Sequence, residues 1–63
     1  MKVKYVIDKR ESDYKKKQLL EKVIKTFGAK VSISGENIEV ERNDEKKVVD
    51  LLTHSGLKYQ KAA

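Results

Sequence analysis

The only imidazole in the chain is His54, with Ser55 next to it, and there is no cysteine among the 63 residues. One histidine without a thiolate or a second histidine offers no plausible zinc set. Adjacency does not make Ser55 and His54 a nucleophile–base pair, because that pairing is set by hydrogen bonding in space. Near the end of an apolar-periodic segment, His54 sits where a helix favours positive charge. The carboxylates Glu36, Glu39, Glu41, Asp44 and Glu45 gather in one stretch. Catalytic carboxylate pairs need a cleft that drives their pKa values apart, whereas Glu39 and Glu41 alternate onto the polar side of a strand. Gly28, Gly35 and Gly56 are too dispersed for a phosphate-cradling loop and fit caps and turns instead. No metal or cofactor is expected, and the chain reads as non-catalytic.

Lysine offers the stronger chemistry. Residues 1–30 hold ten Lys/Arg against four Asp/Glu, while residues 31–63 hold five against six, so the net +5 comes from the first half. Lys9, Arg10, Lys15, Lys16, Lys17, Lys22, Lys25 and Lys30 carry most of it. At 100° per residue, Lys15, Gln18, Lys22 and Lys25 share one helix face, with Tyr14 near it. A row of ammonium groups beside one aromatic can follow a phosphate backbone. The candidate nucleic-acid-binding residues are therefore Lys9, Arg10, Tyr14, Lys15, Lys22, Lys25 and Lys30. The competing reading is a solvated face, in which Lys17 and Glu21 form an ordinary i,i+4 pair.

These side chains need a scaffold, and the apolar spacing supplies one. Residues 2–7 alternate, with Val3, Tyr5 and Ile7 on one side, as in a half-buried strand. A helix over roughly 10–27 carries Leu20, Val23, Ile24 and Phe27 as its core stripe, with Leu19 at the edge. Asp8 and Glu11 resemble a capping box, and Ser12 is a rival cap. Gly28 suits the C′ position. Val31 and Ile33, the turn Gly35-Glu36-Asn37, then Ile38 and Val40 read as a hairpin. If the first strand lies alongside, Lys2 and Lys4 can face Glu39 and Glu41. Asn43 or Asp44 caps a second helix with Val48, Leu51 and Leu52 inward, Gly56 ends it, and Leu57 and Tyr59 form a short last strand.

The order β-α-β-β-α-β predicts an α+β two-layer sandwich, with both helices on one face of a four-stranded, mostly antiparallel sheet. Residues 1–60 form a single domain, with 61–63 as a flexible tail. The opposite sheet face carries Lys2, Lys4, Val6, Lys30, Ser32, Ser34, Glu39, Glu41 and Lys58, with Tyr5 turned inward. It therefore lacks the exposed aromatics on which a recognition-motif sheet stacks bases.

From Leu19 to Tyr59 the chain resembles the core of the SUI1 family, the translation-initiation factor 1 proteins. The resemblance runs through Phe27-Gly28, the Gly35 turn, Ile38-Glu39-Val40-Glu41, Asn43-Asp44, Lys47-Val48, Leu51-Leu52 and Gly56-Leu57. It implies RNA-linked or ribosomal binding, with Lys30 as the one residue carried over from the family's basic loop. Ala29-Lys30-Val31-Ser32 stands where that loop has its paired glycines.

At this length only a small core can form, which leaves little room for a deep, dry catalytic pocket. No tract reaches the roughly 18 apolar residues of a membrane span, and the first residues are too polar for a signal peptide. The expected location is therefore the cytoplasm, without a membrane partner. The leading expectation is a binding module that docks on RNA, DNA or a ribonucleoprotein through its basic first helix, as a monomer or weak homodimer. The alternatives are a small protein-interaction regulator or phage-type inhibitor with a protein partner, and a designed miniature domain without a ligand.

Overall fold

Alternation along the first strand sets the frame. The computed structural model describes residues 1–62. In β1 (Lys2–Ile7), Val3, Tyr5 and Ile7 are buried while Lys2 and Lys4 are exposed. Strand β2 (Val31–Ser34) and strand β3 (Asn37–Glu41) form the hairpin, and β4 (Tyr59–Lys61) closes the sheet. All pairings are antiparallel, in the order β2-β3-β1-β4. Helix α1 (Asp13–Phe27) joins β1 to β2, and α2 (Glu45–Ser55) joins β3 to β4. Each crossover passes over one intervening strand, giving the split β-α-β plait with two helices on one sheet face. The α+β expectation holds.

The hairpin turn is two residues long, because Ser34 pairs with Asn37. Gly35 has φ 60° and Glu36 a negative φ, the type II′ pattern whose twist suits a tight hairpin. The register sets Lys2 opposite Glu41 and Lys4 opposite Glu39. Like Tyr5, Tyr59 belongs to the helix-covered side, where the two rings meet edge to face with centroids 6.0 Å apart.

The core consists of Val3, Tyr5, Ile7, Leu19, Val23, Phe27, Ile38, Val40, Val48, Leu52 and Leu57. Leu20, Val31, Ile33, Val49, Leu51 and Tyr59 pack partly buried against it. Two expectations about α1 need correction. Its buried stripe is Lys16, Leu19, Val23 and Phe27, rotated by roughly 40° from the expected one at 100° per residue. Leu19 turns toward α2, and Ile24 is left 51% exposed on the flank beside the edge strand β2, where no further element covers it. The helix also starts later than residue 10. Ser12 is the N-cap and its hydroxyl accepts from the Lys15 N–H at 3.2 Å.

Asp8 and Glu11 serve other ends. Asp8 binds Arg10, and Glu11 accepts the Lys58 N–H at 2.6 Å, tying the loop after β1 to the entry of β4. Asp44 stands at the N-cap of α2 without a side-chain capping bond, and Gly56 ends that helix in the left-handed region at φ 75°. Lys61 belongs to β4 opposite Tyr5, and the Ala62 N–H donates to the Lys4 carbonyl. Of the expected tail, Ala63 lies outside the described residues.

Candidate nucleic-acid interface

Helix α1 projects three kinds of side chain, and the rotated core stripe decides which go where. Lys16 lies within that stripe at 8% exposure. Its alkyl stem covers apolar surface while the ammonium reaches out to the Asp13 carboxylate at 3.3 Å, the Glu36 carboxylate at 3.3 Å and the Lys9 carbonyl at 3.4 Å, the usual behaviour of a snorkelling lysine. Burial pulls its pKa down, but the bonds to Glu36 and Asp13 outweigh this and the net direction is up. This cation is structural.

On the flank facing α2, Lys15 and Lys22 stand with Leu19 at the wall of a groove of about 300 Å³, completed by Gln18 and by Leu51, His54 and Ser55 of α2. The helices run antiparallel, so the first half of α1 lies beside the last turn of α2. Two other grooves carry carboxylates in their walls: Asp8 beside Lys9, Arg10 and Lys58 in one, and Asp13, Glu21 and Glu36 in the other. The interhelical groove has none. Its floor is apolar and its rim carries two ammonium groups and an imidazole.

On the crown of α1, Tyr14 is 71% exposed, and its hydroxyl accepts from the Gln18 side-chain amide at 2.9 Å. Lys25 is exposed one turn beyond Lys22. From Lys15 to Lys25 the rise is about 15 Å at 1.5 Å per residue, a span of several phosphates along a nucleic-acid strand. Lys30 is exposed at the end of the 3₁₀ turn that follows α1. Among the described residues, Lys9, Lys15, Lys22, Lys25 and Lys30 make no ion pair.

Arg10 differs from the other expected contacts. Its Nε and a terminal nitrogen donate to the two Asp8 carboxylate oxygens at 3.2 and 3.0 Å, and its backbone N–H donates to Asp8 at 2.8 Å. The guanidinium holds the Asp8 carboxyl down at about 2 and is itself pushed up. Arg10 is thus neutralised locally. Among the expected residues, Lys15 and Lys22 share the groove, Tyr14 and Lys25 crown it, and Lys9, Arg10 and Lys30 lie in flanking segments.

His54 was not among the expected contacts, yet it lines the groove. The available signal was its i,i+3 spacing from Leu51, which turns both toward α1. Ser55 is committed elsewhere, donating to the Leu52 carbonyl at 2.6 Å and accepting the Leu57 N–H at 3.1 Å. Among the described residues, no cluster of three or more His, Asp or Glu could hold a metal ion, and no helix is long and apolar enough to cross a membrane. The chain matches no known family model, no curated protein and no solved structure.

Proposed function

We propose that the protein is a non-catalytic module that docks on RNA, DNA or a nucleoprotein through the crown of α1 and the groove between the helices. The observation that carries this reading is the carboxylate-free groove rimmed by Lys15, Lys22 and His54. Lys15, Lys22 and Lys25 contact phosphates. His54 adds a donor from the opposite wall, and Tyr14 packs against a sugar or base at the edge. Lys9 and Lys30 extend the positive field, while Arg10 is held back by Asp8. The resemblance of residues 19–59 to a translation-initiation core points to the same class of partner. With no aromatic platform on the sheet, recognition runs through phosphates and shape, and base sequence matters little.

Fluorescence anisotropy against labelled single- and double-stranded RNA and DNA tests this. Affinity should fall on the order of a hundredfold between about 50 and about 200 mM salt, the scale for four or so phosphate contacts. Changing Lys15, Lys22 and Lys25 together to glutamine should flatten the slope of log affinity against log salt by roughly 2–3. A complex whose salt slope survives the triple change would refute the assignment.

A further inference from the structure

The sheet has two edges, and they are defended unequally. On one side β4 is three residues long and bounded by Lys58 and Lys61, with the Lys61 ammonium bound to Glu45 at 2.9 Å. On the other side β2 reads Val31-Ser32-Ile33-Ser34, without charge or proline. Short strands, lysines and prolines are what normally keep an edge from pairing. Strand β2 is only four residues long and follows Lys30, but it has no lysine or proline within it, whereas β4 carries Lys61.

The register identifies its free groups. Ser34 and Asn37 flank the two-residue turn as a hydrogen-bonded pair, and Ser32 opposite Glu39 repeats it. The backbone groups of Val31 and Ile33 therefore point away from the sheet. The Val31 N–H is used by the Gly28 carbonyl. That leaves the Val31 carbonyl and both backbone groups of Ile33 facing outward. Beside them runs a strip of α1 comprising Lys17, Leu20, Glu21 and Ile24, which lines a groove with Ile33, Gly35 and Glu36. Lys17 and Glu21 make no ion pair among the described residues.

We infer that β2 pairs antiparallel with β2 of a second copy of this chain, forming a continuous eight-stranded sheet about a two-fold axis. Setting Ile33 opposite Ile33 of the second copy gives two backbone bonds between them and brings each Val31 carbonyl to the Gly35 N–H of the other copy. On the outer face Ser32 then opposes Ser34 of the second copy, within hydrogen-bonding reach. On the helix face the two-fold sets the α1 helices antiparallel, so Leu20 and Ile24 of both copies cover one another. Lys17 of each copy comes to Glu21 of the other, a self-complementary charge pattern. An isologous contact of this kind closes on itself and stops at two copies. The inference is independent of the nucleic-acid reading, since it uses the opposite flank of α1.

Sedimentation equilibrium over a wide concentration range, with amide hydrogen exchange at both ends of that range, tests the inference on the full chain. The mass should rise toward twice the monomer value, and the Ile33 amide, which has no partner within the chain, should gain protection as it does. Ile24→Lys, at an exposed site the fold does not depend on, should raise the dimer dissociation constant roughly tenfold or more. Lys17→Glu should weaken the dimer, and Lys17→Glu combined with Glu21→Lys should restore it. A chain that stays monomeric at millimolar concentration overturns the inference. So does a dimer in which Ile33 stays unprotected or which ignores these substitutions.

Discussion

Two polar groups near opposite ends of the sequence, Tyr5 and Lys61, find a common partner only through the fold. The Tyr5 hydroxyl donates to the Glu45 carboxylate at 2.6 Å, and Lys61 binds the same oxygen at 2.9 Å. Burial, and then the hydrogen bond to Glu45, push the Tyr5 phenol up to about 12. Its neutral form is favoured in the fold, so the stability it contributes is complete below pH 10 and is lost as pH rises through about 12. An alkaline absorbance titration should show a late tyrosine step near 12 that Tyr5→Phe abolishes, and that variant should lose about 1 kcal/mol at neutral pH. At the acid end Asp8, held near 2 by Arg10, stabilises the fold above its ordinary value of 3.8. That contribution fades as pH falls through about 2, so Asp8→Asn should flatten the acid limb of a urea-midpoint profile. Alternation alone made the burial of Tyr5 legible. Its link to Glu45 was not, because 40 residues separate them and Glu45 reads from sequence only as an acid at a helix start. Lys16 was hidden for a similar reason: a lysine at a core position becomes sensible only once Asp13 and Glu36 are seen to meet its ammonium.

At the scale of elements, periodicity located both helices, the hairpin and the neighbourhood of the last strand, which starts at Tyr59 and leaves Leu57 before it. The rotation of α1 and its start depended on tertiary neighbours. Five apolar residues spread over more than a third of the α1 circumference, so several orientations bury a comparable area. The choice fell to α2, which takes Leu19, and to the sheet edge, which leaves Ile24 outside. Chemical denaturation separates the two orientations. Leu19→Ala should cost about 2–5 kcal/mol, as buried leucines do, while Ile24→Ala should cost well under half of that. Equal losses would place both in the core. The start of α1 admits a parallel check: Ser12→Ala should lose about 1 kcal/mol, the typical worth of an N-cap hydroxyl. Glu11→Gln should instead loosen the junction between β1 and β4, seen as faster exchange of the Lys58 amide, whose N–H the carboxylate now accepts.

For the whole molecule, the β-α-β-β-α-β order was enough to anticipate a two-layer sandwich, and pairing fixed what order alone could not, the sequence of strands β2-β3-β1-β4. That arrangement divides the surface into different chemistries. The open sheet face balances its charges, with Lys2 opposite Glu41 and Lys4 opposite Glu39. The helix layer gathers Lys15, Lys22, Lys25 and His54 without a carboxylate between the helices, and the β2 flank sets Leu20, Ile24 and Ile33 among Lys17, Glu21 and Glu36. The excess of lysine in the first half of the sequence pointed to α1. Only the antiparallel packing of α2 showed that part of this charge rims a groove, and only the geometry of the loop after β1 showed that Arg10 is spent on Asp8. A phosphate-bearing partner approaching this molecule should therefore meet one helix flank and leave the sheet face untouched. Backbone amide shifts followed by NMR during titration with a short oligonucleotide, at about 50 mM salt where phosphate binding is strong, test that claim most directly. Perturbations should concentrate at Lys15, Gln18, Lys22, Lys25 and His54 and recede together as salt is raised. Perturbations centred on Lys2, Lys4 and Lys58 of the sheet side, or none at low salt, would contradict it.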